Sequence, residues 1–232
     1  MDVVIDSLVG GSQRAKGTVV VIDVYRAFTT AAVAFDRGAE KLILVSDAND
    51  AIALRENGTV ELCIGESDGV KLNGFDYGNS PFELSSAEFV GKSIVQCTSA
   101  GTLGVTSLKA DHVDDIFLGS FVVAEATTRA LRAANPELVN IVPMGSGGRV
   151  RTDEDEQCAL YLKNLLEGRV PDKDAVRSLV VSGSESEKFD DPGKPHFHKN
   201  DPNIALDFDR YGFAMRVVRE DGLLVAYKQV VS

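Results

Sequence analysis

Thr18-Val19-Val20-Val21-Ile22-Asp23-Val24-Tyr25-Arg26-Ala27-Phe28-Thr29-Thr30-Ala31-Ala32-Val33-Ala34-Phe35-Asp36-Arg37-Gly38 is the stretch on which the fold turns. Thr18 to Asp23 is a continuous apolar, β-branched run without polar alternation, the pattern of a strand buried on both faces. Arg26 to Arg37 then reads as an Ala-rich buried helix, stopped by Gly38 in the C′ position. A doubly buried strand running straight into a buried helix predicts a mostly parallel sheet covered by helices on both faces.

The rest of the chain repeats the alternation. Strands are predicted over Leu42–Val45, Val60–Ile64, Ser93–Cys97, Ile116–Leu118 and Val139–Pro143. Between them, Ser46 or Asp47 caps a helix running to Asn57, and Gly58 ends it. Ser80-Pro81-Phe82-Glu83 is a capping box with proline at N1, closing a polar, glycine-rich passage from Gly65 to Ser80. Further helices are read over Thr102–Lys109, over Phe121–Ala134 up to Asn135-Pro136, and over Asp153–Glu167 with Thr152 as cap. Asp172 caps one more through Val181. Gly183 to Asn200 is a long polar loop or flap, and loops of that length tend to be functional or disordered. Phe213–Arg219 and Leu223–Lys228 flank Glu220-Asp221-Gly222 as a hairpin, expected at an antiparallel edge of the sheet. The predicted fold is therefore three-layer α/β/α, with a mostly parallel, mixed sheet and a C-terminal antiparallel hairpin. Residues 1–232 form one unit or two halves divided near 109–115.

Composition narrows the function. Against 24 Lys and Arg stand 35 Asp and Glu, a formal charge of −11. That balance disfavours nucleic acid and anionic membrane surfaces, which attract clustered cations. No apolar run approaches the roughly 20 residues of a membrane span, and Met1 to Leu8 lacks the basic start of a signal peptide. Cys63, Cys97 and Cys158 are too scattered for a disulfide framework or a zinc site, which points to a reducing cytoplasm. Monomer and homodimer both remain open.

Ligands of such sheets bind where strands end and helices begin. At the first junction, Asp23 offers a carboxylate to a cation, and Arg26 offers a fork to a phosphate. Thr29 and Thr30 enter the helix beside them. The same residues would equally make an ion pair and ordinary caps. At the second, Gly74-Phe75-Asp76-Tyr77-Gly78-Asn79-Ser80-Pro81, glycines around Asp76, Asn79 and Ser80 allow close backbone approach, or simply form a turn. At the third, Thr98-Ser99-Ala100-Gly101-Thr102 can cradle an anion with amides and hydroxyls, or cap a helix. At the fourth, Gly145-Ser146-Gly147-Gly148 precedes the acids Asp153 to Glu156, of which one is expected to face the site. His196 and His198, in the polar loop, are expected to be exposed. Several familiar sites fail. Val150 stands where a dinucleotide fingerprint needs its third glycine, and Ser86 replaces the first glycine of a P-loop. Tyr25 occupies the place of the second aspartate of haloacid-dehalogenase phosphatases. No Gly-x-Ser-x-Gly elbow accompanies a buried histidine.

Taken together and in order, the four junctions resemble the 2-phosphosulfolactate phosphatase (ComB-like) family, over Val19 to Gln229. The Gly74–Pro81 stretch with Glu83 carries the resemblance most strongly; Asp23–Thr30, Thr98–Thr102 and Glu154–Ala159 match the other blocks. The resemblance implies a Mg²⁺-dependent phosphatase acting on a small anionic phosphorylated substrate, 2-phospho-3-sulfolactate, in a step toward coenzyme M. Asp23, Arg26 and Asp76 would be catalytic, with Mg²⁺ on Asp23, Asp76 and an acid of 154–156, Glu154 foremost. Thr29, Thr30, Asn79, Ser80, Thr98, Ser99, Gly101 and Thr102 would hold the substrate. The nucleophile is either water at the metal or a carboxylate, Asp23 first. The chain departs from the family pattern at Ser67, Ala100 and Val123, which leaves the exact substrate open. Two other classes are consistent with the residues alone: a non-catalytic homologue that binds a phosphorylated acid, and an acidic structural or partner-binding domain.

Overall fold

The computed structural model describes residues 1–230. In chain order the first half runs β1 (Asp2–Ile5), α1 (Leu8–Arg14), β2 (Gly17–Ile22), α2 (Ala27–Asp36), β3 (Lys41–Val45), α3 (Ala48–Glu56), β4 (Leu62–Ser67), β5 (Val70–Lys71), α4 (Pro81–Leu84), β6 (Ser93–Cys97) and α5 (Gly101–Thr106). There follow β7 (Val113–Gly119), a 3₁₀ turn (Phe121–Val123), α6 (Ala124–Ala134), β8 (Leu138–Pro143), α7 (Asp153–Leu166) and α8 (Lys173–Val181). The short α9 (Ser184–Glu187) and α10 (Asp201–Ala205) precede the hairpin β9 (Phe213–Glu220) and β10 (Leu223–Val230).

Local chemistry accounts for most boundaries. Asp47 accepts from the Asn49 amide to start α3, and Asp172 accepts from Asp174 and Ala175 to start α8. Ser80 accepts from the Glu83 amide, as a capping box requires. Asn135 ends α6 in the left-handed conformation. Thr152, by contrast, precedes α7 in extended geometry, and its hydroxyl makes no capping bond. The edge strand β1 and helix α1 carry no clear sequence signal: β1 has only four residues, half exposed, and α1 contains two glycines.

The ten strands form one sheet in the order β1-β8-β2-β7-β9-β10-β3-β6-β4-β5. β1, β8, β2 and β7 are mutually parallel, as are β3, β6 and β4. The expected antiparallel hairpin exists, but it is not an edge. It sits in the middle, with β9 antiparallel to β7 and β10 antiparallel to β3, and splices the two parallel groups. Alternate residues of both its strands are buried (Met215 and Val217; Leu224 and Ala226), so it packs as an interior element. A cut near 109–115 would part β2 from its neighbours β7 and β8.

Helix α2 explains the curvature. Nine of its ten residues are buried, Ala27 through Phe35, so it is apolar all round. It shares one core with side chains from β2, β3, β4, β6, β7, β8, β9 and β10. β2 and β6 are five positions apart in the sheet order, which in a flat sheet would be roughly 24 Å at about 4.8 Å per strand. Yet a Cβ placed on Gly101, just after β6, would lie 2.8 Å from an Asp23 carboxylate oxygen, just after β2. The sheet therefore curls around α2 and brings its two parallel groups together at their C-terminal ends. Helices α6, α7 and α8 cover the other face over one core, and α3 covers it over another.

Because Phe28 is fully buried at the centre of this curl, Phe28→Ala should cost about 3–5 kcal/mol of unfolding free energy in denaturant titration. Val170→Ala, at a side chain 94% exposed, should stay within about 0.5 kcal/mol.

Candidate active site

A cavity of about 370 Å³ opens at the C-terminal ends of β2, β4, β6 and β8. Asp23, Arg26, Glu66, Asn79, Ser99, Ser146 and Glu154 line it from the sheet side, and Lys188, Lys194, His196 and Phe197 line it from the 183–200 segment. That segment is folded over the site and includes α9.

Each carboxylate is placed by backbone. Asp23 is buried, and its Oδ1 accepts from the Ala27 amide at 3.0 Å, at the start of α2. Its Oδ2 is approached so closely by Gly101 that any side chain there would collide with it and with Ala27. Glu66 accepts from the Ser99 amide at 2.8 Å and from the Gly69 amide at 2.6 Å, which ties the loop after β4 to the loop after β6. Asp155, fully enclosed, accepts from the Val24 amide with one oxygen and the Gly145 amide with the other, both at 2.7 Å. It thereby fixes the loop after β2 against the loop after β8. Glu154, the preceding residue, is buried and faces the cavity.

Burial sets the electrostatics. Desolvation, offset in part by the Ala27 amide and reinforced by Glu66, lifts the Asp23 carboxyl to about 6. Desolvation lifts Glu154 to about 7, with backbone hydrogen bonding and the Lys188 charge pulling the other way. Asp155 is held well above the usual carboxylate range by burial and by Glu154 and Asp23. Within the cavity lining, Asp23, Glu66, Asp68, Glu154 and Glu185 face only Arg26, Lys188 and Lys194. Asn79 adds an oxygen: its Oδ1 is buried and accepts no hydrogen bond. Hard, clustered, under-compensated oxygens around one cavity are the donor set that suits Mg²⁺. Asp23, Glu154 and Asn79 are the residues that could contribute to holding one, although among the described residues no group of three His, Cys, Asp or Glu side chains is gathered closely enough to form a metal site by itself.

Asp76 does not join them. Its Oδ2 accepts from the Cys63 amide at 2.8 Å and pairs with Arg55 at 3.0 Å, so it closes the turn after β4 outside the cavity lining. Thr98 and Thr102 bond to each other's amides and hydroxyls, which makes them a cap whose hydroxyls are spent. Thr29 donates to the Val24 carbonyl and Thr30 to the Asn79 carbonyl. Ser80 donates to Asp201 at 2.6 Å. Ser99 and Asn79 line the cavity, and Gly101 borders Asp23. Arg26 lines it too, but its Nη1 donates to Asp201 at 3.0 Å and to the His196 carbonyl at 2.8 Å, and its Nη2 to the Gly69 carbonyl at 3.0 Å. The Tyr25–Arg26 peptide is cis. His196 is partly covered and lines the cavity, while His198 stacks on Phe82. Val123 is buried in the core and does not touch the cavity, whereas Ala100 lines it.

Sequence reasoning missed Glu66, Asp155 and Lys188. Glu66 ends a strand inside a polar passage, where the Gly65-Glu66 step was the available signal. Asp155 was one of four successive acids, and only the register of α7 tells which of them turn inward. Lys188 lies in a segment without periodicity.

The family model described as 2-phosphosulpholactate phosphatase matches residues 4–191. A protein of Bacillus subtilis named "Probable 2-phosphosulfolactate phosphatase" is 34% identical over 217 residues, covering 91% of each chain. Proteins of the same name from Caldicellulosiruptor saccharolyticus and Thermus thermophilus are 35% and 34% identical, covering 82% and 76% of this chain and 75% and 74% of their own. Among the described residues no helix is long and apolar enough to cross a membrane.

Two outcomes follow from the buried acids and from Cys158. A carboxyl raised by burial binds its proton more tightly folded than unfolded, so stability falls as pH climbs from the ordinary carboxyl range through about 6 and 7, the values of Asp23 and Glu154. A divalent cation bound to the ionised pair offsets that loss. Thermal scans should therefore show Mg²⁺ raising Tm over a chelator control at pH 8, with the increment vanishing below about pH 5. Cys158 is buried in the α7 core and its thiol is pushed far up by desolvation. Cys158→Ser should keep substantial turnover while melting somewhat lower; abolished turnover in a folded variant would mark a nucleophilic thiol instead.

Proposed function

Since the chain belongs to the 2-phosphosulpholactate phosphatase family, we propose that it is a phosphoric monoester hydrolase that removes phosphate from a small 2-hydroxy acid. The names of its relatives make 2-phospho-3-sulfolactate the first substrate to test. The observation that carries the reading is the pairing of Asp23 with Glu154 in one cavity, both buried and both raised toward neutrality.

Phosphoryl transfer is governed by position and charge, because the transition state spreads negative charge over equatorial oxygens. Asp23 and Glu154, with the side-chain Oδ1 of Asn79, would hold Mg²⁺. Bound there, the ion would offset the ester's charge and polarise its phosphoryl oxygen. Asp23 stands at the start of α2, where the helix N-terminus favours negative charge. With the ion bound, its carboxyl and that of Glu154 would be held ionised and serve as ligands. The folded-over 183–200 segment limits bulk water at the reacting end. Three free, buried cysteines suit the reducing cytoplasm as the setting.

A phosphate-release screen over phosphorylated 2-hydroxy acids, with Mg²⁺ and with a chelator, tests this. Release should require the metal, and Asp23→Asn should lower kcat by at least ~100-fold, the scale of losing a group used in the transition state. Unchanged release in the chelator would refute the metal role. Tight ligand binding without release would refute hydrolysis.

A further inference from the structure

The cavity has two cations within its enclosed part, and they are differently engaged. Arg26 has a side chain 2% exposed, and it forms a buried ion pair with Asp201, whose side chain is 0% exposed. Asp201 is not in the cavity; it also accepts from Ser80 and from the Phe82 amide, so it is rooted beneath α4. Arg26 spends its other bonds on the backbone of His196 and Gly69. Its guanidinium lies 4.7 Å from the centre of the Phe197 ring. That ring presses on Gly69 so closely that a Cβ there would fall 2.3 Å from it. The contacts to the His196 carbonyl and the Phe197 ring fasten the 183–200 segment directly, and Asp201, just beyond its end, anchors the Arg26 that makes them.

Lys188 is placed the other way round. Its ammonium is held by Glu185 at 2.6 Å, a contact that uses one of the donors of a lysine with several. It sits 4.9 Å from the Phe197 ring centre and 5.6 Å from that of Phe189, so two aromatic faces fix its position. It lines the cavity, and its charge acts on both Asp23 and Glu154. Lys194 is half exposed and 3.9 Å from Asp191, on the outer rim.

We propose that Lys188 is the side chain that meets the phosphoryl oxygens, and that Arg26 is a positioning residue that latches the segment presenting it. The chemistry favours this division. A planar fork suits fixed bonding to a carboxylate and carbonyls, while a compact ammonium with spare donors suits a mobile tetrahedral anion. The assignment rests on the phosphatase reading only for the identity of the anion.

The test uses the full chain with Mg²⁺ and inorganic phosphate as probe, by calorimetry, alongside kcat and KM on the ester. Lys188→Met should weaken phosphate binding by at least ~10-fold and raise KM while the chain stays folded; Lys188→Arg should recover most of it. Asp201→Asn, which alters no cavity side chain, should weaken phosphate binding and open residues 183–200 to protease, and Phe197→Leu should do the same if Asp201→Asn fails to fold. Lys188→Met should leave the segment protected. Phosphate binding unchanged in Lys188→Met would overturn the proposal, as would absence of phosphate binding in the native chain. Lys188-dependent phosphate binding without ester hydrolysis would uphold it while refuting the phosphatase reading.

Discussion

Helix α2 is the constraint on which the other features depend. Its sequence has no polar face to give to water, so the chain can bury it only by surrounding it. Side chains from eight strands and the loops after them do this, and the sheet curls as a result. Curling brings the ends of β2 and β6 into contact, which neither their order in the chain nor their order in the sheet would do. The cavity is thus a by-product of hiding one apolar helix.

Around that cavity the same physical device recurs. Buried carboxylates accept amides from two loops at once: Glu66 joins the loops after β4 and β6, and Asp155 joins those after β2 and β8. Asp201 does likewise for α4 and Arg26. Where the acid is ionised such a bond is charge-assisted, which shortens and strengthens it. Three of the acids so buried or neighbouring them, Asp23, Glu154 and Asp155, ionise less readily for it. Structural fixing and chemical readiness come from the same burial.

The sequence made the sheet's parallel strands and most helices legible, because doubly buried runs such as Val19–Ile22 and caps such as Asp47, Ser80 and Asp172 are local signals. What it hid was nonlocal. Glu220-Asp221-Gly222 announces a turn, but whether a hairpin lies at the edge or the centre depends on partners far away in the chain. In the site, Asp23, Asn79, Ser99 and Glu154 were readable from their junctions, and the structure brings these four to one cavity. Asp76 looked equivalent to them, but its carboxylate is taken by Arg55 and a strand amide. Arg26 was legible as an important residue, yet its partner Asp201 lies 175 residues later.

The central position of the hairpin also bears on how the chain is made. β9 and β10 come after the eight other described strands in the chain, yet among the described residues they alone connect the two parallel groups of the sheet. Until they emerge, β7 and β3 present unpaired edges to each other's copies, the kind of surface on which incomplete chains aggregate. Closing the sheet also requires pairing β10 with β3, about 180 residues earlier, and contacts of such long sequence separation slow folding.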